Sequence, residues 1–102
     1  MIHVIATVEV VAGKRAAFLA EFSANVPHVK AEDGCLAYGA AVDLPTGIAA
    51  QGPVREATVV IVEQWASLAA LQAHLGAPHM ATYRQRVKDL VKGVSLQVLE
   101  PA

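Results

Sequence analysis

The stretch "ATVVIVEQWASLAALQAHL", residues 57–75, decides the fold. Its first half is a run of β-branched residues from Thr58 to Val62 that closes at Trp65, the composition of a strand. Ser67 then offers a side-chain oxygen to cap a helix in which Leu68, Leu71 and Leu75 form one apolar stripe. A strand that feeds directly into an amphipathic helix belongs to a mixed α and β pattern, and the flanking sequence supplies the rest of it.

Upstream, "IHVIATVEVV" is rich in β-branched residues, so residues 2–10 read as a first strand. Its even positions, from Ile2 to Val10, are all apolar, while the odd ones carry His3, Thr7 and Glu9 beside Ile5. From Lys14 onward Phe18, Leu19, Phe22 and Val26 recur at helical spacing, and Pro27 is expected to break that helix, with at most a further turn to Lys30. "CLAYGAAVD" reads as a second strand in which Gly39 marks a bulge or a close backbone approach. Residues 44–56, with two prolines and two glycines, read as a long hairpin connection.

Downstream, Gly76-Ala77-Pro78 interrupts the helix, and a further helical stretch from Pro78 to about Val91 carries Met80, Tyr83, Val87 and Leu90 on one side. Gly93 is expected to end it before a last strand, "VSLQVLE". The order strand, helix, strand, strand, helix, strand is the ferredoxin-like βαββαβ pattern, an α+β fold with a four-stranded antiparallel sheet. Residues 1–102 are expected to form one such domain. Helices cover one sheet face only, and the strands show little of the polar alternation of a solvated sheet. A second copy of the chain, packed sheet against sheet, is the simplest cover.

Composition narrows the function. Eight basic residues against nine acidic ones give a net charge of −1 with no long run of either sign, which excludes the electrostatic footprint of a nucleic-acid binder. The chain is 55% hydrophobic with a mean hydropathy of +0.44, yet its apolar runs fall far short of the ~20 residues that span a bilayer, so no membrane partner is expected. The start of the chain lacks a basic leader and Glu9 interrupts its apolar stretch, pointing to a strand rather than a signal peptide and to a cytoplasmic protein. The single cysteine, Cys35, reads as a small buried hydrophobe.

The chemistry-bearing side chains cluster between Trp65 and Tyr83. His74 and His79 are five residues apart, ~140° round a regular helix, rather than the four of a zinc-binding helix. With no acidic third ligand at a telling spacing, no metal is expected. His79 stands four residues before Tyr83 and so shares its inward side, where it is either a hydrogen-bonded core group or an acid–base group. His74 falls near the edge of the leucine stripe and takes second rank. Trp65 closes its strand as a core ring or an aromatic wall, and Tyr38 needs a partner for its hydroxyl if buried. There is no glycine-rich phosphate loop and no nucleophile elbow, and no motif supplies a nicotinamide or flavin site.

The segments "VIATVEVVAGKRAAFLAEF", "EDGCLAY" and above all "VEQWASLAALQAHLGAPH" resemble the antibiotic biosynthesis monooxygenase domain, particularly its quinol-monooxygenase-like members. The likeness covers nearly the whole chain. It implies a ferredoxin-like protomer that dimerises through its sheets into an α+β barrel, with a pocket between sheet and helices for a small aromatic substrate. It further implies oxidation of a phenol or hydroquinone by molecular oxygen without a metal, flavin or other cofactor. On that resemblance His79 and His74 fall on the family's histidines and Trp65 on its tryptophan, so His79 is expected to transfer the proton with His74 as the second catalytic residue, and Trp65 to form an aromatic wall. Tyr38, which orients the substrate by hydrogen bonding, Thr7 and Tyr83 complete the expected substrate-binding set. Thr7 stands where haem-degrading relatives carry an asparagine, which speaks against haem degradation. Two other functions stand beside this one: an isomerase or tautomerase working through His79, and a non-catalytic dimeric binding module whose pocket is filled by side chains.

Overall fold

The computed structural model describes residues 1–102. Seven elements follow in order: β1 (Ile2–Val10), α1 (Arg15–Lys30), β2 (Cys35–Ala41), β3 (Thr58–Trp65), α2 (Leu68–Leu75), α3 (Pro78–Val87) and β4 (Val91–Leu99). The strands form one antiparallel sheet in the order β2-β3-β1-β4, and the helices lie on one face of it. This is the α+β, ferredoxin-like arrangement that the alternation of periods predicts.

Register follows from which face of each strand is dry. Val4, Ala6, Val8 and Val10 of β1 point to the helices and are buried, as are Val59, Ile61, Glu63 and Trp65 of β3. The pairs Ala6–Ile61 and Val8–Val59 lie directly opposite, so a slip of one residue would turn this whole set to the other face. Against it pack Phe18, Phe22 and Val29 of α1, with Phe22 stacked on Tyr38 at 5.2 Å between ring centroids. Removing such a ring from a filled core costs about 3–5 kcal/mol, the transfer term plus the void left behind.

Several boundaries differ from the sequence expectation. Helix α1 does not break at Pro27 but runs through it to Lys30. The proline lies in the last turn, where only one intrahelical bond is lost, and the turn is held by burial of Val29 and by the Ala31 N–H donating to the Pro27 carbonyl. Gly39 is not the bulge of β2; the register shifts between Cys35 and Ala37 instead. Helix α3 stops at Val87, and β4 begins at Val91 with Gly93 inside it, opposite Glu9, because a register shift at Glu9/Val10 admits the earlier start. Cys35 is half-buried, and burial raises its thiol pKa, with Glu32 and Glu63 adding to the effect.

The helices lean toward β2 and β3 and leave the inner face of β4 uncovered. Val94, Leu96 and Val98 sit opposite Val8, Ala6 and Val4 yet are 60%, 48% and 43% exposed. That gap opens a cavity between α3 and the β1/β4 half of the sheet. The 42–57 connection is tied across its base by a bidentate Asp43–Arg55 pair, which holds the aspartate pKa at about 2. No helix is long and apolar enough to cross a membrane.

Candidate active site

The leucine stripe read for α2 is rotated in the structure. Leu68 and Leu75 are exposed, and the residues that α2 buries are Leu71 and His74. Ser67 caps the helix as expected, its hydroxyl accepting from the Ala70 N–H at 3.1 Å. With the start thus fixed, His74 points inward and is 2% exposed, its ring against Trp65 at 4.6 Å and edge-on to Tyr38 at 5.5 Å.

A buried imidazole requires partners, and one comes from a residue distant in sequence. Glu32, in the turn after α1, places Oε2 2.7 Å from His74 Nδ1. The same oxygen lies 3.2 Å from His79 Nε2. The turn is positioned by Gly34, whose φ of +81° an L side chain rarely adopts, and whose carbonyl accepts from the Ala66 N–H at 2.8 Å. A carboxylate can only accept here, so Nδ1 of His74 carries its proton toward Glu32. Nε2 of His74 has no protein hydrogen-bond partner, yet it is not a sealed orphan, and His74 lines the cavity. Its free lone pair therefore faces the cavity, the arrangement of a carboxylate-oriented base.

The cavity is about 470 Å³, within the ~300–1,000 Å³ of small-molecule sites, and twelve of its sixteen lining residues are hydrophobic. Its polar groups are His74, Tyr38, Tyr83 and Glu63 toward the interior, with the exposed Arg84 of α3 and Lys88 just past the end of that helix. Burial raises the Tyr38 phenol pKa strongly and pushes that of Tyr83 up to about 12. Glu63 is 5% exposed and has a raised pKa, first from desolvation; the Trp65 indole N–H donating to its Oε1 at 2.9 Å partly offsets this. A more open hollow of about 600 Å³ along the β2 edge, near Leu36 and Gly39, brings together no comparable set of acid–base groups.

The expected site residues thus divide. Tyr38, His74 and Tyr83 do meet at one cavity. His79 does not line it; it opens instead onto a polar groove between α1 and α3 with Asn25 and His28, and Tyr83 forms the wall between groove and cavity. Trp65 is wholly enclosed behind His74 and holds Glu63 rather than forming a cavity wall. Thr7 lies on the far sheet face, between Val60 and Ser95, because odd positions of β1 point away from the helices. Glu32 and Glu63 were missed from sequence. Glu63 carried a signal, a carboxylate at an inward position of a strongly apolar strand; Glu32, 42 residues before His74, carried none.

A four-stranded sheet with helices on one face and a half-open apolar cavity lined by acid–base groups defines a small α+β protein with a candidate small-molecule site. The antibiotic biosynthesis monooxygenase family model matches residues 1–86, and the chain belongs to that family of monooxygenases. It is 38% identical to the Escherichia coli (strain K12) protein named "Probable quinol monooxygenase YgiN", over 99% of this chain and 98% of that one. The structure of Rv0793 from Mycobacterium tuberculosis superposes with a TM-score of 0.78 at 31% identity, covering 99% of this chain and 94% of the other. That of PA3566 from Pseudomonas aeruginosa gives 0.80 at 26% identity, covering 99% and 93%.

Proposed function

We propose that this chain oxidises a hydroquinone or related phenol with molecular oxygen, using His74 rather than His79 as the base. The observation that carries the reading is the His74 ring itself: Nδ1 engaged by Glu32, Nε2 free toward an apolar cavity of about 470 Å³. A phenol seated there loses its proton to Nε2, and the anion that forms is a far better electron donor than the phenol. One electron passes to oxygen, the radical pair joins at a ring carbon, and cleavage of the O–O bond completes the change. One phenol and one O₂ give one quinone, richer by one oxygen atom and poorer by two hydrogens, and one water. No electron is required from outside, which is why the reaction can proceed without a cofactor.

The surroundings support this. Tyr38 and Tyr83 resist ionisation and so serve as hydrogen-bond donors to a bound oxygen atom, while Arg84 and Lys88 favour negative charge. A cavity of this size argues against a core filled by its own side chains. The name of the E. coli relative agrees with the substrate class. A second copy of the chain fits the uncovered sheet face, where Ile5, Val60 and Val62 form an apolar strip and Val62 is 44% exposed.

Oxygen uptake by metal-stripped protein across a panel of hydroquinones and phenols tests the reading. Activity should fall by ~10²–10⁴ in His74→Ala of verified fold, with one atom of labelled oxygen appearing in the product. Absence of uptake with every compound, or turnover that persists without oxygen, would overturn it.

A further inference from the structure

Glu32, His74 and His79 come from three different elements and present donor atoms that all lie within 4.8 Å of one another. We propose that they form a site for a divalent transition-metal ion of the zinc class, and that the bound ion switches the His74 base off. Two imidazoles and one carboxylate are the donor set of zinc sites that keep a fourth position open. Around a tetrahedral ion with ligands at ~2.0–2.1 Å, neighbouring donors stand ~3.4 Å apart. Glu32 Oε2 is already 2.7 Å from His74 Nδ1 and 3.2 Å from His79 Nε2. Only modest opening of the first pair and approach of the two rings is required.

The group that must move is the one free to do so. The His74 side chain is 2% exposed and wedged against Trp65, whereas that of His79 is 27% exposed at the first turn of α3 and borders the polar groove. The groove gives the ion its entry path and a water its place as fourth ligand. His28 approaches His79 with ring centroids 5.9 Å apart but is not among the three convergent donors. Two imidazoles and one carboxylate, with no thiolate among the three donors, suit zinc, cobalt and nickel better than copper(I) or calcium.

The consequence for the cavity is a change of tautomer. In the hydrogen-bonded state Nδ1 of His74 holds the proton and Nε2 offers a lone pair. Coordination takes the Nδ1 lone pair, so the ring proton must reside on Nε2. The nitrogen facing the cavity then becomes a donor and can no longer accept a phenolic proton. This second half rests on the oxygenase reading above; the binding site does not.

The test uses tag-free, chelator-treated protein titrated with zinc(II) by calorimetry and with cobalt(II) by visible absorption. One ion per chain is expected, with the d–d spectrum of a four-coordinate site and a rise in Tm that grows with ion concentration. His79→Ala and Glu32→Gln, each of verified fold, should weaken binding by roughly tenfold or more, and His28→Ala should leave it unchanged. No saturable binding, or binding untouched by both ligand variants, or loss in His28→Ala alone, would overturn the site. Nitrogen-resolved NMR should show the His74 proton move from Nδ1 to Nε2 on zinc saturation; a proton that stays on Nδ1 would overturn the switch. If the wild type turns over phenols, zinc should inhibit at the concentration at which it binds, and His79→Ala should need roughly tenfold more. Protein that binds zinc but never consumes oxygen would refute the oxygenase and leave the site standing.

Discussion

Glu32→Ala is the most informative single perturbation, because one carboxylate oxygen serves both histidines and the two bonds differ in worth. The His74 side chain is 2% exposed, so when its acceptor is removed no solvent readily replaces it, and a lost bond to a charged group costs about 1.5–3 kcal/mol. The His79 side chain is 27% exposed at a longer 3.2 Å contact, where water and screening reduce the contribution to about 0–1 kcal/mol. Glu32→Ala should therefore destabilise by about 2–3 kcal/mol, on the order of 10 °C in Tm for a chain of this size, and His79→Ala by less than about 1 kcal/mol. Urea denaturation of both variants in the presence of chelator measures the difference, and NMR of the imidazole nitrogens reports whether His74 keeps its proton on Nδ1. Equal losses in the two variants, or a Glu32→Ala protein whose His74 retains the Nδ1–H tautomer, would refute the claim that Glu32 sets the orientation of the base.

Three further expectations follow from the geometry. In Gly34→Ala the residue would have to keep a φ of +81° while its Cβ met the Ala70 Cβ at 2.7 Å, so a loss of at least ~1–2 kcal/mol is expected by urea denaturation; an unchanged midpoint would show that the turn relaxes freely. Burial raises the folded pKa of Glu63 above the ordinary carboxylate range, so the folded state binds the proton more tightly than the unfolded one. Its stabilising contribution is complete below the unfolded pKa and disappears as pH rises through the folded one, and Glu63→Gln should gain on the wild type over that window. Parallel stability profiles for the two proteins would contradict this. On the uncovered sheet face, Val62→Lys should convert a dimer to monomer in sedimentation while leaving the His74 environment intact; a wild type that sediments as a monomer would remove the sheet-to-sheet dimer altogether.

The alternation of Val4, Ala6, Val8 and Val10, the β-branched run before Trp65 and the cap at Ser67 were enough to set element order and the inward face of each strand. These are local signals: a period of two or 3.6 states which side must be dry, whatever the partner. Pro27 and Gly93 misled for the complementary reason, since each is a local breaker overruled by contacts with distant chain, Val29 in the core and the β1 pairing of β4. The candidate site was legible only in part of its membership, since Glu32 and Glu63 were not named and His79, Trp65 and Thr7 do not line the cavity. Tyr38, His74 and Tyr83 could be named from the sequence, but the spacing of His79 to Tyr83 could not tell that His74 rather than His79 lines the cavity, which follows from the rotation of α2 that buries Leu71 and His74.

What the sequence determined by itself was therefore the α+β class, the order of the strands and helices along the chain, and a short roster of imidazole and phenol groups. What only the tertiary structure decided was which of them share a cavity, which histidine nitrogen is left free, and that Glu32 joins them across 42 and 47 residues of chain. The physical reason is that periodicity encodes the side to which a residue turns, while a hydrogen bond between distant segments depends on how whole elements lean on the sheet. Here the helices lean toward β2 and β3, opening the space over β4 that His74 faces.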